Sequence, residues 1–178
     1  MDTPPLLRRS ADLDRDRTAL LELHCRGNYE SETPWARLAP YQAYRQVWLA
    51  TPQPAQFLGA LRASLQDDRT VLDVWEVSGL VVGFLWLQLT DLPGYDAVLA
   101  SVSDIAVVPE YHRRGIGGQI LAYAEQAARQ RGATVLRSEA GIENVASRAL
   151  HERHGFGICR VILEKRLSPS AARPTGDA

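Results

Sequence analysis

The segment VSDIAVVPEYHRRGIGGQILAYAEQAARQRG, residues 102–132, carries the densest chemistry in the chain. An apolar run ends at Pro109. A short basic loop with Arg113 and Arg114 follows, and a helical pattern rises out of Gly115, Gly117 and Gly118. The first N–H groups of a helix lack internal partners, and the helix dipole puts partial positive charge there. Glycines let the backbone turn and let a ligand come close to those amides. Such a loop is an anion site suited to phosphate or pyrophosphate, with the two arginines for further oxygens. The plainer reading is a turn with exposed arginines. The loop lacks the GK[ST] of a Walker A motif and is not the GxGxxG dinucleotide fingerprint.

Two carboxylates stand nearby in the pattern. Asp104 interrupts the apolar run before the loop, and Glu139 ends the strand-like stretch that follows the helix. A carboxylate held in a cleft can have its pKa raised enough to act as a base; an ion pair with an arginine is the alternative. Cys25 and Cys159 sit in no metal-binding spacing, and the four histidines form no HExxH. A reducing compartment makes both free thiols.

The elements that must position these groups alternate. Residues 5–9 read as a strand. Asp12 or Asp14 caps a helix over about 14–27, on which Leu13, Arg17, Leu20, Leu21 and His24 recur at helical spacing. A Pro-containing loop, ESETPWARLAP, leads to a second helix between Pro40 and Pro52. Residues 54–67 read as helical. RTVLDVWEV is a period-two strand, Ser78-Gly79 a hairpin turn, and LVVGFLWLQLT an apolar strand covered on both faces. DLPGYD is a loop and AVLASVSDIAVV a third strand of this group. After the helix, which ends at Gly132, ATVLRSEA is a strand, Asn144 starts a helix, and FGICRVILEKRL is a last strand. This order predicts an α/β fold, a mixed central sheet flanked by helices, as a single domain over 1–167. The small polar tail 168–178 is expected to be disordered.

Composition narrows the function classes. With 20 basic against 21 acidic side chains the formal charge is −1, without the basic excess of nucleic-acid binding. No apolar run approaches the ~18 residues that span a bilayer, and the charged N-terminus lacks a signal-peptide core. A cytoplasmic protein that acts on neither membranes nor nucleic acid is expected.

IAVVPEYHRRGIGGQIL resembles the acetyl-CoA pyrophosphate-binding segment of the GNAT superfamily of N-acetyltransferases, in which a strand leads through Q/R-x-x-G-x-G/A into a helix. His112 stands at the usual Gln or Arg; Arg113, Arg114, Gly115, Ile116, Gly117 and Gly118 complete the loop. ENVASRALHERHGF resembles the family's later motif, with Asn144, Ser147, Leu150, His151, Gly155 and Phe156 at matching positions. His151 replaces the usual Tyr. The strand and helix order from 5 to 167 is similar to the GNAT layout throughout.

The resemblance implies the GNAT fold, acetyl-CoA as cofactor, and direct transfer of an acetyl group to a primary amine of a small molecule. It implies that the loop amides bind the pyrophosphate and that Asn144 and Ser147 lie near the pantetheine arm. A backbone N–H among Ile105, Ala106 and Val107 would polarise the thioester carbonyl. His151 would lie near the sulfur as the acid for the departing thiolate, and Asp104 or Glu139 would serve as base where water does not. Tyr29, Glu30, Trp35, Trp75, Trp86 and Tyr95 are candidates to line the amine pocket, with residues 28–35 as the acceptor loop. Other readings stay open: a peptide or protein amine as acceptor, or a non-catalytic acyl-CoA-binding module. The EN-x-x-S-x-x-x-H run also resembles aminoglycoside 6′-acetyltransferases over a short stretch. The family resemblance also allows a homodimer.

Overall fold

The computed structural model describes residues 4–33 and 40–167, so Trp35 and the 168–178 tail fall outside the described residues. The chain runs β1 (Leu6–Ser10), α1 (Arg17–Ser31), α2 (Tyr41–Leu49), α3 (Gln53–Ser64), β2 (Thr70–Val77), β3 (Leu80–Leu92), β4 (Ala97–Val107), α4 (Ile116–Gln130), β5 (Val135–Ser138) and α5 (Val145–Arg153). The strands form one sheet in the order β1-β2-β3-β4-β5, antiparallel except for the parallel β4–β5 pair.

The apolar run of β3 follows from burial on both faces. Phe84 faces α1 and α3 with Leu20, Leu61, Leu72 and Val74. Its neighbours Leu85 and Leu87 face α4 with Ile120 and Ala124. Each fully buried side chain of this size contributes about 1.5–3 kcal/mol, so the two layers clamp β3 and β4 as the rigid centre. The β2–β3 hairpin turns at Ser78 and Gly79, both with positive φ (52° and 79°), the geometry of a two-residue hairpin that follows the strand twist. At the far end of α4, Gly132 N–H bonds the Arg129 carbonyl and Ala133 N–H the Ala128 carbonyl, which satisfies two terminal carbonyls.

Three expectations change. Neither Asp12 nor Asp14 caps α1. The Asp12 carboxylate accepts from the amides of Asp14 and Arg15, and Asp16 stands at the helix entrance instead. Asp16 is drawn inward because Arg9 grips both its oxygens at 2.6 Å while also reaching Glu76 on β2. β3 runs through Asp91 to Leu92, because Asp91 pairs with Val98 and its carboxylate with Arg69. The third change is at the C-terminus. Residues 156–167 form no strand, and Ile158, Val161, Ile162, Leu163 and Leu167 are 74–90% exposed. Alternation makes a strand favourable only where an edge accepts it, and the four-residue β5 is a short edge.

Candidate functional site

β4 and β5 pair only from Leu99↔Val135 to Val102↔Ser138. β4 continues to Val107, and among the described residues no strand borders this last stretch on the β5 side. The parting coincides with a bulge. Trp86 pairs with Asp104 and Leu87 with Val102, which leaves Ser103 as the extra residue on β4. A bulge bends a strand and re-aims its side chains. Beyond it, Val108 N–H bonds the Val82 carbonyl on β3 at 2.8 Å. Successive peptide groups of a strand point to opposite edges, so the N–H groups of Ile105 and Val107 face the bare side. Ala106, whose groups face β3, is the one member of that trio without an open donor.

The loop after β4 passes through a 3₁₀ turn, Pro109–Tyr111. His112 then folds back and donates Nε2–H to the Val107 carbonyl at 2.7 Å. Its ring is therefore tied to the strand edge, and the loop's anion-binding capacity rests on its amides. Arg113 adopts φ 59° and Gly115 φ 80°, which turns the chain into α4 and leaves the N–H groups of Ile116, Gly117 and Gly118 at an open helix start. Arg114 lies over the Tyr111 ring, 4.6 Å from its centre.

The three glycines have different reasons. Gly115 holds a left-handed conformation. A Cβ on Gly117 would come within 2.9 Å of Leu150 Cδ2, and one on Gly118 within 3.2 Å of His154 Nε2. Both therefore serve the close packing of α5 on α4, a role the loop pattern alone did not separate from ligand approach.

α5 brings the later motif to the same place. Asn144 caps it, its Oδ1 accepting from Ser147 N–H at 3.0 Å. His151, 8% exposed, donates Nδ1–H to the Ser147 carbonyl at 2.8 Å. Its Nε2 therefore accepts, in the neutral ring, from Ser138 Oγ at 2.8 Å. Phe156 packs edge-on against the ring with centroids 5.0 Å apart. Both nitrogens of His151 are engaged, and it meets the strand parting through Ser138, the last residue of β5. Glu139 follows one residue later and is exposed.

On the other side of β4, Asp104 does not face open cleft. Its Oδ2 lies 2.5 Å from His24 Nδ1 on α1. Asn28 Nδ2, one turn on, lies 3.1 Å from His24 Nε2. Phe57 of α3 stacks flat on the imidazole at 3.8 Å, and Trp48 of α2 lies 5.9 Å away. The sequence reading counted His24 only as part of the α1 stripe. The signal was present: an ionisable ring in an inward row with Leu20, and an amide four residues later.

The expected pocket-lining residues divide. Trp86 shares the β4 register with Asp104, and Tyr29 packs on Tyr41 and Tyr44 with centroids 5.5 and 5.3 Å away. Trp75 belongs to the opposite face, against Tyr123, and Tyr95 is 83% exposed at the far end of the β3–β4 hairpin. Cys25 is 1% exposed, and burial pushes its thiol above the ordinary range, unlike a nucleophile.

Comparison with known proteins gives one consistent result. Residues 28–156 match the Acetyltransferase (GNAT) family. The uncharacterized N-acetyltransferase YhfO of Bacillus subtilis is 30% identical over 125 residues, which is 68% of this chain and 82% of that protein. Among solved structures, aminoglycoside N-acetyltransferase AAC(6')-Iy in complex with CoA superposes with a TM-score of 0.64 at 17% identity, covering 93% of this chain and 97% of that one. Glucosamine-6-phosphate N-acetyltransferase of Arabidopsis thaliana gives 0.59 at 11% identity, covering 92% and 99%.

Proposed function

The chain belongs to the Acetyltransferase (GNAT) family, and we propose that it transfers an acetyl group from acetyl-CoA directly to a primary amine of a small molecule. The observation that carries this reading is the parting of β4 from β5 beside the open start of α4. The bare β4 edge offers N–H groups at Ile105 and Val107 for an extended amide-bearing arm, and the α4 amides offer donors for a pyrophosphate. In this reading Gly115, Ile116, Gly117 and Gly118 hold the phosphates through their backbone, with Arg113 and Arg114 adding charge. His112 contributes neither donor, because its ring is held by the Val107 carbonyl and its amide by the Pro109 carbonyl. The free Nδ2 of Asn144 and the Ser147 hydroxyl border the arm.

A thioester carbonyl placed against a β4 N–H would develop its negative charge on a fixed donor, an arrangement worth about 2.7–4 kcal/mol in related oxyanion sites. His151 would act through Ser138: as the imidazolium it would donate Nε2–H to Ser138 Oγ while the hydroxyl passes its own proton to the departing thiolate, which returns the ring to its neutral form. Glu139, exposed beyond β5, would take protons through water. AAC(6')-Iy and glucosamine-6-phosphate N-acetyltransferase carry names of small amine acceptors, which supports that acceptor class here.

The test is thermal unfolding with increasing acetyl-CoA. A ligand at about 100 times its Kd adds roughly 2.7 kcal/mol, a rise of about 2–4 °C for a domain of this size. A rise that saturates, with acetyl-CoA and CoA alike, supports the cofactor site. No rise at millimolar concentrations removes it.

A further inference from the structure

We propose that His24 is the catalytic base for the acceptor amine and that Asp104 is its positioning residue. The inference rests on the acetyltransferase reading above and adds to it a residue on α1, outside both sequence motifs.

The proton inventory assigns the tautomer. Asn28 Nδ2 carries only protons, so the His24 Nε2 that faces it at 3.1 Å must accept. The ring proton then lies on Nδ1 and is donated to Asp104 Oδ2 at 2.5 Å. A carboxylate behind an imidazole fixes its tautomer and stabilises the cation formed when the far nitrogen takes a proton. Phe57, stacked 4° from parallel at 3.8 Å, holds the ring plane. The side chains of His24 and Asp104 remain 21% and 14% exposed, so the pair is reachable and not sealed in the core.

Position matters as much as pairing. Asp104 is the first residue after the bulge, on the stretch of β4 that β5 has left. Val107, with its open N–H, lies three residues on, about 10 Å along the strand. An amine between Nε2 and a thioester on this stretch would displace the Asn28 amide and offer its own N–H to the same lone pair. The amine nitrogen attacks the carbonyl carbon, forming the C–N bond. The nitrogen gives one proton to His24 Nε2. The C–S bond breaks as the tetrahedral centre collapses, its electron pair leaves on the CoA sulfur, and that thiolate takes a proton supplied by solvent, directly or by way of His151 and Ser138. His24 returns its own proton to solvent. Asp104 alone, with Oδ2 committed to His24, is the weaker candidate to touch the amine.

The experiment uses the full chain with acetyl-CoA and a panel of spermidine, glucosamine, kanamycin and tyramine, and follows free thiol. For an amine that the wild type acetylates, His24→Gln should lower kcat by about 10²–10⁴-fold, with the acetyl-CoA thermal shift and the KM for acetyl-CoA unchanged. Added imidazole should restore part of the rate to His24→Ala. Nitrogen NMR of the wild type should show His24 as the Nδ1–H tautomer, and Asp104→Asn should lose that preference together with rate. Wild-type turnover that survives His24→Gln within about threefold overturns the base assignment and leaves the acetyltransferase reading standing; so does an Nε2–H ring in the wild type. A wild type that binds acetyl-CoA but acetylates none of these amines contradicts both.

Discussion

His151 and Ser138 join α5 to the end of β5, Nε2 to Oγ at 2.8 Å, at the residue where β5 leaves β4. The bond fixes the width of the parting from one side, while the Ser147 carbonyl holds the ring from the other. His151→Phe keeps the ring shape against Phe156 but leaves Ser138 Oγ without this partner. We expect a loss of about 1–3 kcal/mol, read as a lower urea midpoint. Ser138→Ala should cost less, and the double variant should cost less than the sum, because the two share one bond. Strict additivity would show that the bond is not formed in solution.

Gly115 and Gly117 should fail differently. Gly115→Val forces a β-branched residue to φ 80° with nothing within 4 Å of its Cβ. Its effect should concentrate in the loop: a modest stability loss of about 1–2 kcal/mol and loss of the acetyl-CoA thermal shift. Gly117→Ala places a Cβ 2.9 Å from Leu150 Cδ2. It should loosen α5 from α4, and Gly117→Ala with Leu150→Ala should recover part of the lost midpoint. An unchanged acetyl-CoA shift in Gly115→Val would separate the loop from the cofactor.

Asn144→Ala removes the oxygen that accepts Ser147 N–H. A lost N-cap costs about 1 kcal/mol, and Asn144→Asp should retain most of the stability. Equal losses for both variants would mean that the cap contributes little.

Asp16 gives a pH signature. Burial pushes its carboxyl upward, but the Arg9 guanidinium and the Asp12 amide outweigh burial and hold it below the ordinary carboxylate range. A lowered folded pKa stabilises above the unfolded value, about 3.9; that contribution is lost as pH falls through the lower folded value. Asp16→Asn should therefore cost about 3 kcal/mol near neutral pH, by leaving Arg9 partly unpaired. The gap between variant and wild type should shrink on acidification below about pH 4. Urea midpoints at several pH values would show it, and a constant gap would contradict the ion-pair account.

Much of this was readable before any coordinates. Hydrophobic periodicity located β2, β3, β4 and α4, because strands covered on both faces and a helix with one buried stripe carry dense, regular patterns. The HRRGIGG and ENVAS runs located the loop and the α5 cap, because those jobs need particular residues at fixed spacing. What stayed hidden depends on contacts between distant segments. His24 looked like one more inward residue until α1 was laid across β4 and brought it to Asp104. Gly117 and Gly118 looked like ligand glycines until Leu150 and His154 arrived above them. The 156–167 segment carried a strand pattern, but whether a strand forms depends on an edge that the pattern cannot supply. Trp75 and Trp86, similar in sequence context, face opposite layers because Trp86 pairs with Leu72, three residues before Trp75, and successive residues of a strand point to opposite faces.

The most direct test of the central claim is thiol release from acetyl-CoA, measured with and without a primary amine and paired with mass analysis of the amine. The account predicts release that depends on the amine, saturates in both substrates and yields the N-acetylated amine in equal amount. Release that is independent of every amine tried, or bound acetyl-CoA that is never consumed, would contradict it.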